Sequence, residues 1–452
     1  MKDLHAKHAL THPTELLKQA ESHPKRTRKR LSFVHPDELA RLFLNSREHH
    51  RIPLLQLIPH KQLGDTLLEL PEGMQEDLLA TLSPEDIASL LGYMSSDDAA
   101  DLLQSVAKDV IPTVIEQLEP EERRGLEALL SYGEETAGGL MQAELFKVRH
   151  DWDIRRVMAV LRRWGRDIDN LNYVYVVDQE DVFIGVFTLQ TLLMHKPETC
   201  VATIADRRFP RAMPGQDQED VARMFDKYEV LAIPVVDENG ILIGRITADD
   251  ILDVMQEEAT EDMYRLAGLS DDDDLAEPVM LTARRRGLWL AVNLLTAILA
   301  SWVVSNFSHA IEQIVALAIL MPIVASMGGI AGTQTLTVIV RGIALGRVTF
   351  ANARRTLIKE VLVGLVSGMI FATVIGAIAT LWFPENGVLL GGIIAAAMLI
   401  NLIAAGLAGA MIPLTLQRLQ IDPALASGTI LTTVTDVVGF CSFLGLATYF
   451  LL

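Results

Sequence analysis

Asp436 lies in a long apolar stretch near the C-terminus, preceded by Thr429, Thr432 and Thr433. Steps of three, four and seven residues put all four side chains on one face of a helix. A carboxylate inside a membrane span is costly and normally faces water or a partner. A Thr stripe leading to a carboxylate suits a hydrated cation, whose water shell needs oxygen acceptors. The competing reading is an Asp hydrogen-bonded to a neighbouring helix as glue. A second stretch, Met321 to Thr335, combines Pro322 with Gly328, Gly329 and Gly332, and adds Ser326, Thr333 and Gln334. It reads as pore wall or as a glycine packing seam. Asn293 and Asn401 are single amides in apolar runs, open to the same two readings.

Acidic groups upstream offer a different chemistry. Asp97, Asp98 and Asp101 are helical neighbours and predict a compact acidic face. A longer acidic segment holds Asp249, Asp250, Asp253, Glu257, Glu258, Glu261, Asp262 and Asp271 to Asp274. Of these, Asp250, Asp253, Glu257 and Glu261 share one face of a helix. Such a face repels itself unless cations screen it, and hard divalent cations prefer carboxylate oxygens. A plain solvated linker is the alternative.

The elements that must position these residues divide the 452-residue chain sharply. Of 58 acids and 39 bases, five and nine fall after residue 279, which leaves the first part at −23 and the rest at +4. A soluble part that acidic repels nucleic acid and attracts cations. Five apolar stretches are long enough to span a bilayer, at about 287–307, 312–340, 357–382, 388–416 and 425–451. The second and fourth are long and Gly-rich, and are expected to be tilted or broken. Arg284 to Arg286, then Arg341, Arg347, Arg354, Arg355 and Lys359, then Arg418 lie in alternate gaps, and the remaining gaps hold no Lys or Arg. The positive-inside rule therefore predicts a multi-pass protein of the cytoplasmic (inner) membrane, with a cytoplasmic N-terminus and the C-terminus outside. Cys200 and Cys441, one in each part, imply no disulfide framework. Residues 1–34, with the run Lys25 to Arg30, read as a flexible polar arm, or as a segment touching anionic lipid. No Gly-rich phosphate loop occurs, and His35, His49 and His50 show no metal spacing, so an enzyme is not expected.

An internal repeat runs through residues 138–258. Tyr175 to Asp178 and Ile184 to Thr188 match Pro234 to Asp237 and Ile243 to Thr247 at an offset of 59. Each copy predicts strand, turn, strand and helix. The pair resembles tandem cystathionine-β-synthase (CBS) domains. That resemblance implies a nucleotide site where Thr247-Ala-Asp-Asp250 offers a hydroxyl and a carboxylate to a ribose. Thr188-Leu-Gln-Thr191 lacks the Asp, so a single ATP site, or a purely structural pair, is implied. Upstream, Leu70, Leu82, Met94 and Val106 recur every 12 residues. Cap-like starts such as Ser83-Pro84-Glu85-Asp86 follow them and predict a superhelical array of short helices.

In this order the parts resemble the MgtE family of magnesium channels over nearly the whole chain. Pro322 to Gln334 and Thr433-Val-Thr-Asp436-Val-Val-Gly439 carry the likeness most specifically. Where many members have Asn after the paired glycines, this chain has Ile330. The resemblance implies an acidic helical domain at 35–133, a CBS pair at 134–248 (about 138–200 and 201–258), a connecting or plug helix at 249–274 and a membrane domain at 275–452. It implies a homodimer in which Asp436 holds hydrated Mg2+ in the pore. It also implies regulatory Mg2+ held by Asp97, Asp98 and Asp101 with Asp249, Asp250, Asp253, Glu257, Glu258 and Glu261. Thr429, Thr432, Thr433, Asn293, Gly328, Gly329, Gln334 and Asn401 are the expected pore-lining residues, and Co2+ or other divalent ions are possible cargo. Two rivals stay open on sequence: a proton-coupled transporter with Asp436 as proton carrier, and a membrane-anchored nucleotide sensor.

Overall fold

The computed structural model describes residues 13–164, 170–269, 279–384, 387–425 and 427–452. Asp271 to Asp274 lie outside the described residues. The chain forms two units, one up to Gln256 and one from Glu257 onward.

The first unit opens with short helices: α1 (Pro13–Ser22), α2 (Pro24–Leu31), α3 (Pro36–Leu44), α4 (Glu48–Leu55), α5 (His60–Leu68), α6 (Glu72–Leu79), α7 (Pro84–Leu91), α8 (Ser96–Gln104), α9 (Ile111–Gln117) and α10 (Pro120–Leu129). Pro begins five of these helices, where its missing N–H costs nothing. Ser83 accepts from the Asp86 amide at 3.1 Å, capping α7. Leu70 and Val106 of the 12-residue rhythm are buried, while Leu82 and Met94 pack half-buried against the same core. Residues 13–31 correct one expectation. The polar arm is helical there, because Leu16 and Leu31, each 1% exposed, anchor it to the core of the array.

The repeat follows. Strand β1 (Lys147–Arg149) pairs in parallel with β2 (Tyr173–Val177), on either side of α11 (Ile154–Trp164), and β2 pairs antiparallel with β3 (Phe183–Thr188). After α12 (Leu189–Met194) and α13 (Gln218–Tyr228), β4 (Ala232–Val236) pairs antiparallel with β5 (Leu242–Thr247). Both hairpins shift register at the same repeat position, Val176/Val177 and Val235/Val236. Helix α14 (Ala248–Leu266) then leads out of β5, and the boundary between the units falls within it.

The second unit holds five helices long and apolar enough to cross a membrane: α15 (Val279–Ser305), then, after the short α16 (Ser308–Gln313), α17 (Val315–Ala344), α18 (Ala353–Trp382), α19 (Gly387–Arg418) and α20 (Ser427–Leu451). Neither α17 nor α19 is broken, although Pro322 and Pro413 lie inside them. Helix α19 is the most buried of the five and packs against α17, α18 and α20.

Candidate cation pathway and acidic cluster

Thr429 starts the stripe on α20, and its hydroxyl donates to Asn293 Oδ1 on α15 at 3.2 Å. Thr432 and Thr433 donate to the carbonyls of Gly428 and Thr429, at 2.9 and 2.8 Å. On α17, Thr333 and Thr337 donate to Gly329 and Thr333, each at 2.9 Å. These four hydroxyl hydrogens go to their own helices, so the oxygens keep lone pairs as acceptors. That is the polarity a hydrated cation requires, since its water shell points hydrogens outward. Asn293, Thr333, Thr337, Thr429, Thr432 and Arg265 line a cavity of about 210 Å³. Asp436 lies two turns beyond Thr429, half-buried, and its carboxylate makes no hydrogen bond or ion pair among the described residues. It does not serve as interhelical glue within one chain.

Four expected pore residues divide between buried packing positions and open ones. Asn401 is fully buried rather than facing a cavity, and its amide donates to the Val324 carbonyl of α17 at 2.8 Å. Gly328 lies against it: a Cβ there would stand 2.2 Å from Asn401 Nδ2. Both therefore belong to a packing seam, whereas a Cβ on Gly329 would meet nothing within 4 Å. Gln334 is exposed on α17. Sequence reasoning missed Glu360, a 6%-exposed carboxylate on α18 that accepts from Thr335 Oγ1 at 3.1 Å. Its place near the start of a span, beside Lys359, disguised it as an interfacial charge.

The soluble acids meet in the first unit. Asp97 on α8 is 5% exposed and so does not form an open acidic face with Asp101, which is exposed. It faces Asp250 at the start of α14, and Gln142 hydrogen-bonds both carboxylates, reaching Asp250 Oδ2 at 3.4 Å. Gln142 in turn accepts from the buried Arg245 at 3.1 Å. Burial and then the Asp98 charge push the Asp97 carboxyl up to about 6. Burial and then Asp97 push Asp250 up to about 7, although Thr247 donates to it from its amide and its hydroxyl, at 3.2 and 2.6 Å. Asp98 is raised by burial and by Asp65, Asp249 and Asp253, and Asp253 by burial and Asp249. Asp249 accepts from Asn170 at 2.7 Å. Buried like charges with raised pKa values are short of a countercation. Among the described residues no three His, Cys, Asp or Glu side chains stand at metal-chelating distance. Asp97 Oδ1 is nevertheless buried without a hydrogen-bond partner.

Glu257, Glu258 and Glu261 fall in the second unit. There Glu261 pairs with Arg265, which also pairs with Asp422 in the loop before α20. Asp262 is pushed up to about 6 by burial and then by Asp422, with Arg341 opposing.

Five membrane-length helices, an acidic helical domain and a CBS pair define a multi-pass membrane protein of the transporter class. The family described as "Divalent cation transporter" matches residues 321–446, the MgtE intracellular N domain matches 34–135, and CBS domains match 137–198 and 201–257. The chain is 35% identical over 425 residues to the magnesium transporter MgtE of Thermus thermophilus, covering 92% of this chain and 93% of that one. It is 33% identical over 420 residues to the Enterococcus faecalis MgtE, covering 92% of each. A crystal structure described as the cytosolic domain of the Mg2+ channel MgtE in complex with ATP matches 54% of this chain and 99% of its own, with 35% identity and a TM-score of 0.50. The chain belongs to the MgtE family of magnesium transporters.

Proposed function

We propose that the protein is a homodimeric Mg2+ channel that admits the ion down the membrane potential and closes when cytoplasmic Mg2+ binds its acidic soluble part. The observation that carries the reading is the unpartnered Asp436 at the end of a stripe of acceptor oxygens. Asp436 is half-buried and Thr432 exposed on a single chain, so a second copy would complete the wall around the ion. One carboxylate from each chain would suit an ion that keeps most of its waters. With the soluble part inside, the potential contributes about 2.3 kcal/mol per charge per 100 mV, enough to drive inward flow without a chemical step.

Regulation would use the repelling carboxylates. The buried Asp97 Oδ1 without a partner, next to Asp250, fits a hard cation that draws Asp97, Asp98, Asp101, Asp249, Asp250 and Asp253 together. Glu257, Glu258 and Glu261 would extend the response along α14 toward the membrane, and α14 would shut the pathway. ATP is a second regulatory ligand to consider, because a related cytosolic domain is described in complex with it. Thr247 and Asp250 would hold its ribose, so nucleotide and regulatory Mg2+ would compete for the Asp250 carboxylate.

The deciding experiment is Mg2+ flux into liposomes under voltage, without a pH gradient, for the native chain and for Asp436→Ala. Flux that is lost in the variant supports the channel. Equal flux in both removes Asp436 from the path, and flux that appears only with a pH gradient replaces the channel with a proton-coupled carrier.

A further inference from the structure

Arg265 sits at the end of α14, its side chain 26% exposed. Its guanidinium reaches Glu261, one turn back, and Asp422 in the loop between α19 and α20. Next to it, Leu266 packs on the buried cluster of Leu336, Val340, Ala424 and Leu431. The Leu266 carbonyl is 3.2 Å from where a Cβ on Gly428 would stand. Arg265 also borders the Thr-walled cavity. An ion-paired guanidinium therefore links the end of α14 to the α19–α20 loop beside a cavity walled by acceptor oxygens.

We propose that Arg265 is a positioning residue for transport, a tethered cation that pins the end of α14 over the inner mouth of the Thr-lined path with no divalent ion bound. The inference rests on the channel reading above. Two carboxylates, one on α14 and one on the α19–α20 loop, repel each other when bare. The planar guanidinium has enough donors to hold both at once, which a compact ammonium does less well. The ion pair supplies direction and Leu266 supplies apolar area, so the helix end is held by two different forces. Closure thus has a component that persists at low cytoplasmic Mg2+, and loss of Arg265 raises resting flux.

The test replaces Leu266 and Gly428 by Cys in a full-length chain carrying Cys200→Ser and Cys441→Ser, and follows disulfide formation in EDTA. With Arg265 present the cross-link should form. In Arg265→Gln it should slow by about fivefold or more, Arg265→Lys should be intermediate, and exchanging the charges (Arg265→Asp with Asp422→Arg) should restore it. Resting Mg2+ uptake at low internal Mg2+ should rise several-fold in Arg265→Gln. Equal cross-linking with and without Arg265, or cross-linking only when Mg2+ is added, overturns the proposal. If the native chain carries no flux while the cross-link still depends on Arg265, the channel reading is what fails.

Discussion

Asp97 and Asp250, from the helical domain and the second CBS copy, share one hydrogen-bond donor, the side-chain amide of Gln142. Burial first and then a neighbouring carboxylate, Asp98 for Asp97 and Asp97 for Asp250, push these acids up to about 6 and about 7, which a single shared amide does not offset. An acid whose folded pKa is raised makes the folded state bind protons more readily than the unfolded one. Its penalty is absent below the unfolded pKa and grows as pH rises toward the folded value. In divalent-free buffer the soluble part should therefore lose stability between about pH 4 and pH 7.

Asp250→Asn removes one charge and keeps an oxygen to accept from the Thr247 amide. At pH 8 without divalent ions it should stabilise the soluble part by about 1–2 kcal/mol. That is a rise of roughly 2–8 °C in melting temperature for a unit of this size. The stabilisation produced by added Mg2+ should shrink in parallel. Thermal melts across pH, with and without Mg2+, check both; a variant that melts lower at pH 8 would remove like-charge repulsion as the cause.

The paired glycines of α17 should behave oppositely. Gly328→Ala would press a methyl group into the Asn401 amide, at a site where that amide already bonds Val324. A loss of about 1–3 kcal/mol is expected, as for overpacking elsewhere. Gly329→Ala meets open space and should leave the melting temperature within about 1 °C. Melts in detergent of the two single variants read the difference, and equal destabilisation would count against the seam.

Much of the fold is legible because it follows from periodicity. The five spans and the repeat rest on runs and spacings, and the offset of 59 even aligns the two register shifts. The site is less legible because its partners are distant in sequence. Nothing near Asp97 shows that its helix face is covered, and that cover includes Gln142. Arg245 did carry a signal: it occupies the position of Val186 in the first copy, and both are 2% exposed. A charge at a core position of a repeat whose counterpart is Val marks a place where the two copies differ in task. Asp422 and Arg265 carry no such mark, since their pairing depends on how a loop folds back to the end of α14.

Glu360 and Thr335 offer a separate test in the membrane unit. Removal of a donor to a buried carboxylate leaves that oxygen unsatisfied. Thr335→Val should lower stability by about 1–3 kcal/mol. Glu360→Gln, which keeps an acceptor oxygen, should be milder. Unfolding measured in detergent for both variants decides whether the contact holds α17 to α18; no change in Thr335→Val would mean that it does not.

The last prediction concerns the stripe itself. Thr433 lies one turn before Asp436, and its hydroxyl donates to the Thr429 carbonyl, leaving lone pairs for a water of the ion's shell. Val has nearly the shape of Thr without the oxygen, so Thr433→Val removes the acceptor while preserving the packing. One lost hydrogen bond of about 1 kcal/mol slows passage by roughly fivefold. Thr433→Ser keeps the oxygen and should retain most of the flux. Mg2+ uptake by the two variants in liposomes, with melting temperatures as a control, separates the role of the oxygen from that of the methyl group. If both variants lose flux alike while remaining folded, the side chain acts through its shape, and the stripe is a helix contact rather than a path for water-coated ions.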